Sequence, residues 1–166
     1  AIHLQWMEPL DFDSVANPGP YRYQIYRSDD LNGTAFTDPV IVNGLHTTTY
    51  IDTNYNTLEK PRMYKMGLFN YNSTSDVWNI IGVPERAASP FLTLEPGDNE
   101  IELQLGENVP WTNYQYVISR KTMPAGVFDT IAYTTGNKYL DKGLTNGLTY
   151  CYKIKCLGEY VLDTIP

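Results

Sequence analysis

Apolar and polar residues alternate with a period of two along several short segments of this chain. In residues 2–6, Ile2, Leu4 and Trp6 alternate with His3 and Gln5. A strand that covers a core on one face and meets water on the other needs this pattern. It predicts antiparallel strands, because buried parallel strands read as continuous apolar runs. The same alternation occurs in residues 21–25, 101–105, 114–118 and 150–156.

Turn-forming residues separate these segments at short intervals. Asn, Asp, Gly and Pro cluster at the breaks because they tolerate or impose the dihedral angles of tight turns. Short strands at such spacing indicate a β-sandwich rather than an α/β fold. The clusters lie at residues 17–20, 30–33, 43–44, 96–98, 136–137 and 146–147.

An internal repeat is the strongest signal of domain organisation. Residues 2–6 return as 101–105, residues 21–27 return as 114–120, and residues 50–52 return as 139–141. A Leu followed six residues later by a Tyr also occurs twice, as Leu58 with Tyr64 and as Leu144 with Tyr150. Recurrence of these blocks in one order predicts two similar units joined end to end.

The predicted boundary lies in the segment from Pro84 to Pro90, which has a proline at each end and no alternation. We therefore expect one domain over residues 1–86 and a second over residues 87–166. The shortness of the segment predicts a semi-rigid joint between them.

Composition and charge narrow the function classes. Tyr occurs 14 times and the formal net charge is −7. Tyrosine is enriched in strands. An acidic chain without clustered Lys and Arg is a poor ligand for a nucleic-acid backbone. The sequence also has no apolar run long enough to cross a membrane, so we expect neither nucleic acid nor a membrane span.

The motifs resemble those of fibronectin type III domains. In that family an early strand carries Leu-x-Trp, matched by residues 4–6, and a later strand carries Tyr-x-Val or Tyr-x-Ile, matched by residues 23–25 and 116–118. The family's tyrosine corner, in which a Tyr at a sandwich crossover returns its hydroxyl to nearby backbone, is similar to Leu58 with Tyr64 and to Leu144 with Tyr150.

The resemblance implies an all-β protein made of two tandem antiparallel β-sandwiches of the fibronectin type III or immunoglobulin-like kind. It implies that the first copy begins at the family's second strand and that the second copy stops soon after the sixth, so we expect a piece of a longer array. In the second copy Leu105 replaces the family's Trp, and Trp111 is a candidate to fill that volume.

A narrower resemblance concerns residues 23–27, 110–116 and 146–152, which are similar to repeats near the C-termini of bacterial gliding-motility-associated surface proteins exported by the type IX system. In that group the Cys after the corner Tyr pairs with a Cys on the last strand. The resemblance therefore implies that Cys151 is half of a disulfide whose partner lies outside this chain. An exposed free thiol is the alternative.

The two cysteines cannot pair with each other within one strand. Cys151 and Cys156 are five residues apart and so point to opposite faces. Cys156 continues the apolar face of its strand, and we expect it to be a small core residue.

Candidate catalytic and metal-binding residues are few. Only His3 and His46 could serve as a base beside a nucleophile, and we expect both to be solvent-facing strand residues. Acidic residues at 11, 13, 29 and 30 could supply half of a calcium site, but the regular oxygen spacing of a calcium loop is missing. Paired acids in turns more often form Asx-turns. We expect no enzyme, no metal and no cofactor.

Exposed aromatic rings give the main alternative function. A sugar's apolar face stacks on a flat aromatic ring. Trp78 and Trp111 are the chief candidates for such stacking, and Tyr26, Tyr55 and Tyr71 are further candidates. Strand edges and corners use tyrosine heavily for structural reasons as well.

The resemblance therefore implies a non-catalytic structural or adhesive spacer of a larger secreted or cell-surface bacterial protein. Its expected partners are the other domains of a longer chain, and surface proteins or glycans. The alternative is a carbohydrate-binding or enzyme-accessory module. Coplanar exposed rings within one domain would favour that alternative, whereas scattered or buried rings would not.

Overall fold

The computed structural model describes residues 1–10, 12–53, 55–83 and 86–159. It divides into two compact units, the first Ala1–Ser89 and the second beginning at Pro90. Part of the predicted junction, residues 84–85, lies outside the described residues. Residues 160–166, in which the second copy is expected to stop, also lie outside the described residues.

The first unit contains seven strands and no helix in its described residues. They are β1 (Ile2–Gln5), β2 (Tyr21–Ser28), β3 (Val40–Asn43), β4 (Thr49–Asp52), β5 (Met63–Asn72), β6 (Val77–Gly82) and β7 (Ala87–Ala88). Strands β1 and β4 pair to form one antiparallel sheet. The second sheet has the order β3-β2-β5-β6, with β7 also paired to β5.

Six strands make up the described part of the second unit, again without a helix. They are β8 (Phe91–Pro96), β9 (Glu100–Gly106), β10 (Thr112–Thr122), β11 (Asp129–Thr134), β12 (Lys138–Lys142) and β13 (Tyr150–Glu159). They form two three-stranded antiparallel sheets, β12-β9-β8 and β11-β10-β13. The all-β prediction is confirmed, and these antiparallel sheets are consistent with a β-sandwich.

The core of the second unit joins its two sheets. Leu103 and Leu105 from β9 pack with Tyr116 and Ile118 from β10, and all four are buried. In each strand the residues between them face away from this core, as the alternation predicts. Hydrophobic burial between two amphipathic sheets is therefore the main source of stability here.

Paired strands have the same register in the two units. Ile2 lies opposite Asp52 across β1 and β4, and Ile101 lies opposite Asp141 across β9 and β12. Two residues along, Leu4 faces Tyr50, and Leu103 faces Tyr139. These blocks of the sequence repeat thus correspond to the same positions in three dimensions.

The division between the units falls slightly later than the predicted boundary after residue 86. Ala87 and Ala88 pair with Tyr64 and Met63 of β5, and so they belong to the first unit. The Ser89 amide also donates to the carbonyl oxygen of Arg62 at 2.8 Å.

Candidate functional site

A buried carboxylate links the two sheets of the second unit. Asp141 lies on β12 and is 4% exposed. Nη1 of Arg120, on β10, donates to both of its carboxylate oxygens at 2.8 Å. The hydroxyl of Tyr152, on β13, donates to Oδ2 at 2.8 Å. We call Arg120, Asp141 and Tyr152 the second inter-sheet clamp, because the acid and its partners come from opposite sheets.

The first unit has an equivalent group around Asp52, which lies on β4 and is 1% exposed. The Tyr64 hydroxyl on β5 donates to Oδ2 at 2.9 Å, and Nη1 of Arg27 on β2 lies 3.8 Å from Oδ1. Arg62 adds Nη2 at 3.3 Å and Nε at 3.4 Å from Oδ2. Arg27, Asp52, Arg62 and Tyr64 form the first inter-sheet clamp.

The electrostatics of the clamps follow from burial and from the central carboxylates. Burial raises the pKa of the Tyr64 and Tyr152 hydroxyls, and the hydrogen bond to Asp52 or Asp141 raises it further. In the second clamp the hydrogen bond to Asp141 raises the pKa of Arg120. Each clamp thus holds one neutral phenol beside its acid, together with two charged guanidinium groups in the first clamp and one in the second.

The internal repeat already aligns some of the clamp residues of the two units. It matched Asp52 with Asp141 and Arg27 with Arg120 as members of strand blocks. It matched Tyr64 with Tyr150, whereas the register places Tyr64 opposite Arg27 and Tyr152 opposite Arg120. Tyr152 is therefore the structural counterpart of Tyr64. The repeat did not reveal that each acid is bound by side chains of the opposite sheet.

The Leu144–Tyr150 pair has the geometry expected of a tyrosine corner. Leu144 is buried at 7% exposure. The backbone N–H of Thr145 donates to the Tyr150 hydroxyl oxygen at 2.9 Å. The side chain thus fixes the backbone immediately before β13.

The Leu58–Tyr64 pair has a different geometry. Leu58 is 87% exposed, and the Tyr64 hydroxyl is bound to the Asp52 carboxylate rather than to backbone. In the first unit Tyr64 is a clamp residue, and the expected corner contact does not form. The reason is that Tyr64 lies two residues further along its strand than Tyr150 does. Tyr64 is paired with Arg27, and the residue paired with the corresponding Arg120 is Tyr152.

Both cysteines are free thiols in this chain. Cys156 packs against the core cluster of the second unit, and burial raises its pKa to about 12. Cys151 lies on the opposite face of β13, across from Lys121 of β10. Its proposed disulfide partner was expected outside this chain and so stays a prediction.

The candidate stacking rings do not make a flat platform. Trp78 on β6 lies beside Tyr71 on β5, with ring centroids 5.4 Å apart and ring planes tilted by 49°. The Arg22 guanidinium lies 4.0 Å from the Trp78 ring centroid and covers one of its faces. Trp111 is in the other unit, where its ring lies against Gly158.

The residues weighed for catalysis and metal binding have other partners. His46 is exposed, and its Nδ1 lies 2.9 Å from Oε2 of Glu8. Asp13 accepts hydrogen bonds from the amides of Val15 and Ala16 in its own turn. His3 is exposed on β1. Within the described ranges no three His, Cys, Asp or Glu residues are grouped to hold a metal ion.

The carboxylate of Asp30 is also used by its own turn. It accepts from the amides of Asn32 and Thr34 and from the Ser28 hydroxyl. These hydrogen bonds, that of Ser28 first, lower its pKa to about 2. Asp11, which also belongs to the calcium hypothesis, lies outside the described residues.

Comparison with known proteins gives no family for this chain: no family model and no curated protein matches it. Among the residues with described structure, no helix is long and apolar enough to cross a membrane. The functional argument therefore rests on the geometry of the two units.

Proposed function

We propose that this chain is a non-catalytic structural and adhesive spacer, made of two fibronectin type III-like domains within a longer secreted or cell-surface bacterial protein. The observation that carries the proposal is the pair of inter-sheet clamps. Each clamp joins an acid on one sheet to an arginine and a tyrosine on the other. A spacer needs such cross-links because it must keep its sheets together under load.

Strand order supports the family part of the proposal. The pairs β1–β4 and β9–β12 correspond, as do β2–β5 and β10–β13. The second unit has the two antiparallel sheets of a sandwich and the corner contact at Tyr150. The bacterial surface location and the link to gliding motility rest on the sequence resemblance alone.

The alternative of a carbohydrate-binding module with stacked aromatic rings is less well supported. A sugar needs an open ring face, and Arg22 lies over that of Trp78. The tilt between Tyr71 and Trp78 also breaks the plane that two stacked sugars would share. These contacts favour the spacer.

Single-molecule force spectroscopy tests the proposal. With the chain pulled from its two ends, we expect two discrete unfolding events, one for each unit. Asp141→Ala should lower the force of one event and leave the other unchanged. Glu102→Gln, which removes an exposed ion pair with Lys138, is the control and should change neither. Extension without discrete events would contradict a spacer role.

A further inference from the structure

Each unit carries a phenylalanine ring flanked by two cationic side chains. In the second unit the Lys153 Nζ lies 3.9 Å from the Phe128 ring centroid, and the Lys121 Nζ lies 5.2 Å from it. In the first unit the corresponding distances to Phe36 are 4.1 Å for the Lys65 Nζ and 5.9 Å for the Arg86 Cζ. We call these two groups the phenylalanine–cation clusters.

The clusters occupy the same place in both units. Phe36 lies between β2 and β3, and Phe128 lies between β10 and β11. Lys65 belongs to β5, and Lys153 belongs to its counterpart β13. Neither phenylalanine is in a block of the sequence repeat, so the arrangement became visible only when the chain was folded.

The charges of the clusters have no carboxylate partners within the described parts of the chain. None of the ion pairs there, which extend to N–O distances of 4.0 Å, includes Lys65, Arg86, Lys121 or Lys153. This is unexpected in a chain with a net charge of −7. On the other sheet of the second unit, Lys138 binds Glu102 at 2.7 Å.

Placing two cations around one ring has a physical consequence. The negative face of the ring attracts each cation, but the cations repel each other because, among the described residues, no carboxylate forms an ion pair with either of them. The ring also restricts the side chains, so less conformational entropy is lost when they bind a ligand. An anionic group from outside the chain would relieve the repulsion.

The neighbours of the second cluster indicate the chemistry of the ligand. Lys155 lies two residues from Lys153 on the same exposed face of β13, which places their Cα atoms ~7 Å apart along the strand. The Ser119 and Thr130 hydroxyls lie 3.5 Å apart on that face. Tyr133, paired with Val117, is 65% exposed. The face thus combines several cations with hydroxyls and an open ring.

We propose that the outer face of the β11-β10-β13 sheet binds an anionic polysaccharide through Lys121, Lys153 and Lys155. Carboxylate or sulfate groups would bind the ammonium groups, sugar hydroxyls would bind Ser119 and Thr130, and an apolar sugar face would stack on Tyr133. The phenylalanine–cation cluster of the first unit is a second site of the same kind. The proposal rests on the adhesive part of the proposed function and gives it a partner.

Charge complementarity favours this ligand over other polyanions. A nucleic acid presents a dense row of phosphates, and beyond the face the net charge of −7 repels a densely charged chain more strongly than a sparsely charged one. A polyuronate such as alginate instead carries a single charge on each sugar ring, and its rings can stack and form hydrogen bonds. Nucleic acid and acidic peptide are therefore alternative outcomes of the test.

The test measures binding of alginate, dextran sulfate and neutral dextran by isothermal titration calorimetry at low ionic strength. We expect the first or the second to bind and neutral dextran to bind weakly or not at all. Tighter binding of alginate would identify the anionic group as carboxylate, and tighter binding of dextran sulfate would identify it as sulfate. Added salt should weaken binding because the contacts are exposed.

Two double variants locate the site. Lys121→Gln with Lys153→Gln should weaken binding about fivefold, since two charge contacts at the surface are lost. Lys65→Gln with Arg86→Gln should weaken it to a similar degree. Lys138→Gln with Lys142→Gln makes the same change in net charge on β12 and should leave the affinity within about twofold. Unchanged circular dichroism and thermal unfolding establish that each variant is folded.

Three results would overturn the inference. The wild-type chain could fail to bind either anionic polysaccharide at low salt. The control on β12 could weaken binding as much as the cluster variants, which would show a net-charge effect. Polyglutamate or single-stranded DNA could bind more tightly than the polysaccharides. None of these results bears on the force measurement, so the spacer proposal would stand or fall separately.

Discussion

The carboxylate of Asp141 is almost removed from water, and only its partners make that burial tolerable. An unpaired buried charge costs several kcal/mol, whereas one with good hydrogen bonds is compensated. Arg120 and Tyr152 supply three such bonds at 2.8 Å. Asp52 is even less exposed and draws on Arg27, Arg62 and Tyr64. At the scale of single residues, we therefore expect substitution of either acid to be costly.

We predict that Asp141→Ala destabilises the second unit by about 3–5 kcal/mol, because it leaves the Arg120 charge without its partner. Glu102→Gln is the matched control. It removes an exposed ion pair and should cost less than about 1 kcal/mol. Equilibrium unfolding in urea measures both, and equal losses would contradict the special role of the clamp.

Alkaline pH should weaken the folded state through the clamp tyrosines. Burial raises the pKa of Tyr152 above its ordinary value of 10.0. The folded chain therefore keeps a proton that the unfolded chain releases. This contribution to stability is fully present below pH 10 and is lost as the pH rises above it. We expect the free energy of unfolding of the second unit to fall more gently above pH 10 in Tyr152→Phe than in the wild type. An identical slope would assign the loss to other groups.

At the scale of elements, the segments leading into β5 and β13 differ although their sequences share a motif. Leu144 is buried and Tyr150 holds the backbone of Thr145, whereas Leu58 is exposed and Tyr64 binds Asp52. The corner contact therefore belongs to the second unit.

We predict a large difference between two identical substitutions. Leu144→Ala should destabilise the chain by about 2–4 kcal/mol, because it leaves a cavity in a buried site. Leu58→Ala should change stability by less than about 0.5 kcal/mol, because its side chain is in solvent. Thermal and urea unfolding compare the two, and similar losses would contradict the exposed placement of Leu58.

Alternation predicted the strands well because one face of each sheet is buried. It could not identify the counterpart of Tyr64, for a geometric reason. Tyr150 and Tyr152 are two residues apart on one strand, so they share a face and satisfy the same pattern. Only the pairing with Arg27 and Arg120 shows which tyrosine corresponds to which.

At the scale of the whole molecule, the repeat becomes two compact units. Among the described residues, those of the core cluster in the second unit all belong to that unit. Each unit also has a clamp of its own. We therefore expect the two to unfold independently.

Hydrogen exchange can test that independence. Asp141→Ala should speed amide exchange in β9, β10 and β13 and leave β2 and β5 unchanged, since local stability follows local packing. Asp52→Ala should do the reverse. Faster exchange in both units after either substitution would show a single cooperative structure instead.

The sequence by itself determined the all-β class, the position of five of the thirteen described strands and the presence of a repeat. These properties depend on local alternation and on turn residues, which are visible along the chain. The tertiary structure alone decided the inter-sheet clamps and the phenylalanine–cation clusters. Both bring together side chains from separate strands and loops. The interaction energy of a charged group depends on its partners and on the surrounding water, and both are set by folding. For that reason Asp141 is one acid among many in the sequence and the centre of a clamp in the folded chain.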